Sequence, residues 1–279
     1  MNFGYLIVCK QHDDMDYINL AYALALSIKT TQKHGYDKVA LVLEDGGLLD
    51  NIESSWVFDT VIIESLPEGW DGRSNMDLYS PWDATVCLDA DMIFLRDYSH
   101  WIDYFLDNCE LYIPSCAYTY RGEQIQDDYY RKTFTANDLP NLYSFYTFFV
   151  KNSDLCRDFF NLQREILKDS DAFSNLFLSK HKPKVIGTDE AFALSAKILG
   201  IEDDIAYDLA FPRVVHFKPM VQNWPWPANK STNHVGFYIN KDANLKIGNY
   251  QQNDIVHYVE KDLMTREIIS TLEHKAWQK

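Results

Sequence analysis

Four apolar runs in the first third of the chain constrain its fold more than any other feature: "FGYLIVC" from Phe3, "KVALVL" from Lys38, "TVIIE" from Thr60 and "TVCLD" from Thr85. None alternates polar with apolar residues, which is how strands buried on both faces of a parallel sheet read. Between the first two lies "DYINLAYALALSIKTTQKHG", with Tyr17, Ala21, Leu24 and Ile28 at helical spacing and Gly35 as a stop. Strands of this kind joined by helices predict an α/β fold: a Rossmann-like, mixed, mainly parallel central sheet flanked by helices. Such sheets bind ligands just beyond the carboxyl ends of their strands.

The texture changes downstream. "ELYIP" and "SFYTFFV" predict strands of a mixed sheet, and helical runs are expected from Ser153 to Ser179 and from Asp189 to Leu199. "RVVHFKP" is a further short strand, followed by the loop "NWPWPANKSTNHVG". From Asp254 to Trp277, Val256, Val259, Leu263, Met264, Ile268 and Leu272 predict an amphipathic helix. It would either pack on the core or face a second copy in a homodimer. No repeat or low-complexity linker divides the chain. The expectation is one domain over 1–279, with a nucleotide-binding half at 1–115, a half completing the metal and acceptor sites at 116–250, and a C-terminal helix at 251–279.

Hydrophobic residues at 47% supply a sizeable core. Lys and Arg total 26 against 41 Asp and Glu, a net charge of −15, which argues against broad attraction to nucleic-acid backbones or anionic membranes. The five cysteines form no CxxC pair, as suits a reducing cytoplasm. Neither a signal peptide nor a membrane-spanning segment is predicted, so the expected location is cytoplasmic.

The chain has three Asp-x-Asp triplets: Asp14/Asp16, Asp89/Asp91 and Asp169/Asp171. The first and third fall at helix edges, where capping explains them. Only Asp89 and Asp91 end a buried strand. Two carboxylates two residues apart on an extended chain share a side, and their repulsion there calls for a cation. Hard oxygen ligands suit Mg²⁺ or Mn²⁺. A second cluster, His216 and Lys218, ends the "VVHF" strand; an imidazole can ligate Mn²⁺ and an ammonium can meet phosphate. No G-x-G-x-x-G, P-loop or G-x-S-x-G pattern is present.

On these residues, "LYSPWDATVCLDADMIFL" resembles the D-x-D region of GT-A glycosyltransferases, specifically family 8, which includes glycogenin. "GTDEAFAL" and "HFKP" are similar to two further segments of that family, and the likeness runs in order from Met1 to Pro219. It implies a UDP-sugar donor, with Asp89, Ala90 and Asp91 on Mn²⁺ (or Mg²⁺) and the nucleotide, and His216 as the third metal ligand. It further implies Lys218 on the diphosphate, Arg73 on the donor, and Asp189 near the reacting sugar. Val8 and Cys9 would lie by the base, with Asp45 in the neighbouring turn. The chain departs from the family where Ser144, Phe145 and Tyr146 replace its N-[SA]-G, and where Glu190 replaces glutamine.

The expected function is metal-dependent transfer from a UDP-sugar to an acceptor hydroxyl on a glycan or protein. A fainter likeness to bacteriophage glycosyltransferases gives an alternative, glycosylation of hydroxymethylcytosine in DNA within a host cytoplasm. That would engage Trp224, Trp226, Tyr118, Tyr120, Tyr129 and Tyr130 with the flipped base, and Arg121, Arg131 and Lys132 with phosphate. A nucleotide-sugar hydrolase and a non-catalytic glycan-binding module are the readings from other classes.

Overall fold

A computed structural model describes residues 1–11, 16–67, 71–126, 131–206, 212–218 and 235–279. Asp14, Tyr129, Tyr130, Trp224 and Trp226 lie outside the described residues. The four apolar runs form parallel strands β1 (Phe3–Val8), β2 (Val39–Leu43), β3 (Thr60–Ile63) and β4 (Ala84–Leu88). Next come β5 (Met92–Ile93), β6 (Leu111–Tyr112) and β7 (Tyr146–Val150). The central sheet has the order β3-β2-β1-β4-β7-β6, with β7 antiparallel to both β4 and β6. This is the expected α/β class with a mixed, mainly parallel sheet.

Alternate residues of each strand feed two cores, as a pleated strand requires. Tyr5, Ile7, Val86, Leu88 and Phe148 face the helix Tyr17–Thr31 on one side. Leu6, Val42, Cys87 and Phe149 face the helices Asp154–Lys168 and Thr188–Leu199 on the other, through Phe159, Phe160 and Phe192. Asp16 caps the helix Tyr17–Thr31 by accepting from Asn19 N at 3.3 Å. Gly4 is needed for close approach: a Cβ there would lie 2.3 Å from the Trp82 indole nitrogen.

The remaining strands are β8 (Val214–Phe217), β9 (Phe237–Ile239), β10 (Leu245–Ile247), β11 (Tyr250–Gln251) and β12 (Ile255–Tyr258). β9, β10 and β11 form a meander, and β5-β12-β8 a small sheet of their own. One expectation is corrected here. Residues 255–258 are a strand, so the C-terminal helix covers only Arg266–Gln278. Its apolar face is spent within the chain: Ile268 and Leu272 are buried, and Tyr22 on the helix Tyr17–Thr31 donates to Glu273 at 2.9 Å. None of the five cysteines forms a disulfide. No helix among the described residues is long and apolar enough to cross a membrane.

Candidate active site

The sheet order brings the site together at one edge. β1 and β4 run parallel, so Val8 and Asp89 emerge at the same end. β7 runs the other way, with Leu88 opposite Tyr146, so Ser144 and Phe145 enter β7 at that end too. Asp89 N donates to Phe145 O at 3.1 Å and fixes this junction. The small sheet then closes over it. β12 pairs with β5 through His257 opposite Met92, and with β8 through His257 opposite His216.

As a result His257, which sequence reasoning missed, lies against the paired aspartates. Its Nε2 is 3.2 Å from Asp91 Oδ2 and 3.6 Å from Asp89 Oδ2. One ligand atom each from Asp89, Asp91 and His257 lies within 4.8 Å of the others, a grouping able to hold a metal ion. His216 sits one strand further out. Its Nδ1 is 3.1 Å from Nδ1 of His257, and it lies outside the Asp89–Asp91–His257 grouping, in which the resemblance leads one to expect it as the third ligand. Phe145 packs on both imidazoles, with ring centroids 5.7 Å from His216 and 5.0 Å from His257.

Two protein cations meet the carboxylates. Arg73 Nη1 is 2.6 Å from Asp89 Oδ1, and the Lys261 ammonium contacts Asp91 Oδ2. Burial opposes the charge on Asp91, but His257 and Lys261 outweigh it and hold the carboxyl well below the usual carboxylate range. Burial, then the charges of His257 and Lys218, push His216 well below the ordinary imidazole value, so its ring is neutral. Burial together with the charges of Asp91 and Asp89 raises the Tyr17 phenol to about 12.

Asp189 forms the other wall. It stands in the first turn of the helix Thr188–Leu199 and ion-pairs with Arg131 Nη1 at 2.7 Å. Its Oδ1 accepts from Ser144 N at 2.9 Å and from Ser144 Oγ at 2.5 Å. Ser144 also accepts from Arg73, at 2.6 Å on its carbonyl and 3.3 Å on its hydroxyl. One chain of bonds therefore runs Arg131–Asp189–Ser144–Arg73–Asp89. Burial disfavours the Asp189 charge, but Arg131 and Ser144 prevail and set its carboxyl at about 2. Glu190 is shifted the other way, raised by burial and then by Asp189.

These groups line a cavity of about 620 Å³, a volume suited to a small-molecule ligand. Val8, Arg73, Asp89, Ala90, Asp91, Asp189, His216 and Lys218, all named from sequence, lie on its wall, and Lys10 and Lys261 join them. Two sequence candidates do not reach it. Cys9 is buried in the core, and Asp45 is exposed, its side chain capping a turn by accepting from Gly47 N at 2.9 Å. Of the side chains assigned to a flipped base and its phosphates, Tyr120 is buried against Phe217 and Tyr250, Arg121 pairs with Glu123 at 3.0 Å, and Arg131 is engaged by Asp189.

No protein-family model matches the chain, and no curated protein matches it. Among solved structures, mouse xyloside xylosyltransferase 1 in its apo form is similar over 93% of this chain and 98% of that one, with a TM-score of 0.53 and 12% identity. The glycosyltransferase GlyE of Streptococcus pneumoniae TIGR4, apo form, gives a TM-score of 0.45 and 13% identity over 73% of this chain. The chain spans 44% of the length of GlyE. The xylosyltransferase likeness shows a shared fold.

Proposed function

We propose that the chain is a metal-dependent glycosyltransferase that takes its sugar from a nucleotide-diphosphate donor, with UDP as the nucleotide. The observation that carries this reading is the Asp89–Asp91–His257 grouping in the wall of a cavity that also presents Lys10, Lys218 and Lys261. The fold shared with a xylosyltransferase supports it.

The donor set fits the ion: two carboxylate oxygens and one imidazole nitrogen suit Mn²⁺ or Mg²⁺. When bound, the ion would neutralise charge on the departing diphosphate. The site's own charges argue that ion and diphosphate enter together. Arg73 and Lys261 already offset the two aspartates, so a divalent cation alone would leave the site with excess positive charge, which a diphosphate removes.

The remaining residues have roles that follow from their contacts. Arg73 holds Asp89, and His216 fixes the orientation of the His257 ring, as partners behind a metal ligand do. Lys218 and Lys261 present fixed positive charge where the diphosphate leaves. Asp189 is a poor proton acceptor at about 2; held by Arg131 and Ser144, it orients the donor and stabilises positive charge on the reacting sugar. The acceptor is a hydroxyl-bearing molecule reaching the open side of the cavity.

Calorimetric titration of UDP with Mn²⁺, and again with EDTA, tests the reading. Metal-dependent binding that disappears in Asp91→Asn, with the circular dichroism spectrum retained, is the expected result. Undiminished binding in that variant would remove the site assignment. Donor cleavage at full rate without any acceptor would instead favour a nucleotide-sugar hydrolase.

A further inference from the structure

One stretch of the sequence breaks the acidic character of this chain. From Ala172 to Thr188, seventeen residues carry no Asp or Glu but hold Lys180, His181, Lys182 and Lys184. Against a net charge of −15 this is a local reversal of sign, with Asp171 in the first turn the one carboxylate of the helix Ser170–Phe177. All four side chains are exposed, and among the described residues none of the three lysines forms an ion pair with a carboxylate.

Large apolar side chains stand in the same place. The helix Ser170–Phe177 buries none of its residues fully. Phe173 leans on the small core around Ile166, Leu178 and Ile186, while Leu176 is 76% exposed, Phe177 40% and, in the following loop, Val185 69%. The loop doubles back along the helix. Lys182 Nζ donates to Asn175 Oδ1 at 3.2 Å, and Ile186 N donates to Ser170 Oγ at 2.8 Å. Leu176, Val185 and the lysines are therefore exposed within one compact segment about as long as the eight-residue helix, about 12 Å.

We propose that the helix Ser170–Phe177 and the loop 178–187 form a docking surface for an anionic lipid bilayer. Exposed aliphatic side chains interleaved with lysines that have no carboxylate partner among the described residues match the two layers such a surface offers, an acyl boundary beneath negative headgroups. A nucleic acid would answer the lysines but leave Leu176 and Val185 in water. The charge of the remaining molecule does not prevent docking, because at physiological salt charges farther than about 8 Å from the membrane are largely screened.

The surface lies beside the candidate active site. Lys132 and Thr133 line the cavity, and the Thr133 hydroxyl donates to the carbonyl of His181 at 2.7 Å. Asn137 clasps the same loop, its Oδ1 accepting from Ser179 N at 2.7 Å and its Nδ2 donating to Lys180 O at 2.7 Å. Docking through this loop holds the cavity mouth near the headgroups. On the transferase reading, from which this last step follows, the acceptor is presented at a membrane surface.

Sedimentation of the full chain with vesicles tests the proposal. Vesicles of phosphatidylcholine with about a quarter phosphatidylglycerol are compared with phosphatidylcholine alone, at low and at physiological salt. Binding only to the anionic vesicles, weakened by salt, is expected. Replacing all three lysines (K180Q, K182Q, K184Q) should lower the partition coefficient on the order of a hundredfold, at about fivefold per lysine. The variant with L176S and V185S keeps every charge and should fall more than about tenfold. Circular dichroism confirms that both sets fold. Failure of the parent chain to sediment, equal binding to neutral vesicles, or full binding by either variant set would each overturn the proposal. A gel shift of duplex DNA without vesicle binding would also overturn it and give the lysines to a nucleic acid. Vesicle binding should persist in EDTA and in Asp91→Asn, so its outcome is separate from that of the transferase reading.

Discussion

The Arg131–Asp189 pair makes a prediction whose size can be worked out. An ordinary aspartate titrates at about 3.9, whereas Asp189 lies at about 2. A drop of about 1.9, at about 1.36 kcal/mol for each, corresponds to about 2.6 kcal/mol. The Asp189 side chain is 33% exposed and Arg131 only 4%, so solvent screening reduces the net coupling to about 1–2 kcal/mol. The folded-state value is depressed, so this stability is fully present above about pH 4 and is lost as pH falls toward 2, with about half gone by pH 3. The assay is guanidinium unfolding of the parent chain, Asp189→Asn, Arg131→Met and the double variant at pH 7. Asp189→Asn alone should cost more than the coupling, about 2–4 kcal/mol, because it strands a guanidinium held 3.8 Å from the Phe134 ring and 4.2 Å from the Tyr143 ring. A coupling energy below about 0.3 kcal/mol would refute the reasoning. So would an Asp189→Asn deficit that stays constant from pH 7 to pH 3.

Two further substitutions probe the site and the sheet. His257→Ala should abolish Mn²⁺-dependent UDP binding, whereas His216→Ala should weaken it only about 10–100-fold, as loss of an orienting partner does; equal loss in titration calorimetry would mean that His216 is itself a ligand. Gly4→Ala would drive a Cβ to within 2.3–2.7 Å of three Trp82 ring atoms and should cost more than about 2 kcal/mol in urea unfolding, and an unchanged midpoint would show that Trp82 moves aside freely.

The parallel half of the fold was legible because β1, β2 and β4 are buried on both faces, while β3 at the sheet edge leaves Val61 and Ile63 exposed. A run such as Val39–Leu43, buried throughout, has no polar side to disguise its period. Asp89 and Asp91 stood out for the same reason, as charges at the end of such a run. What was not legible was pairing over long distances. β5 has only two residues, too few to show any period, yet it anchors the sheet that completes the site. The C-terminal region misled for a related reason. Val256, Val259 and Leu263 fall at helical spacing, but Ile255, Val256 and Tyr258 are β-branched and aromatic, and tertiary pairing decided for strand. Asp45, assigned to the nucleotide site in the neighbouring turn by resemblance alone, does lie in a turn, which it caps in an exposed position off the cavity wall.

The choice between the two histidines turns on strand order. "VVHF" at Val214–Phe217 and "IVHY" at Ile255–Tyr258 carry the same pattern: two β-branched residues, a histidine and an aromatic ring. They pair in parallel with the histidines opposite each other. Both rings therefore point to one face, and a sequence reader has no local reason to prefer the second. The order β5-β12-β8 supplies the reason. β5 continues directly from Asp91, so the strand beside it presents its histidine to the carboxylates. The next strand lies about 4.8 Å further out, and its histidine meets an imidazole instead, 3.1 Å from nitrogen to nitrogen. A one-residue slip of β12 would turn His257 to the other face and put Val256 or Tyr258 against the aspartates. The same small sheet also carries Lys261, three residues past β12, onto Asp91. Pairing of β12 with β5 is thus what turns two strand-end carboxylates into a site with three ligand atoms and a charge balance of its own.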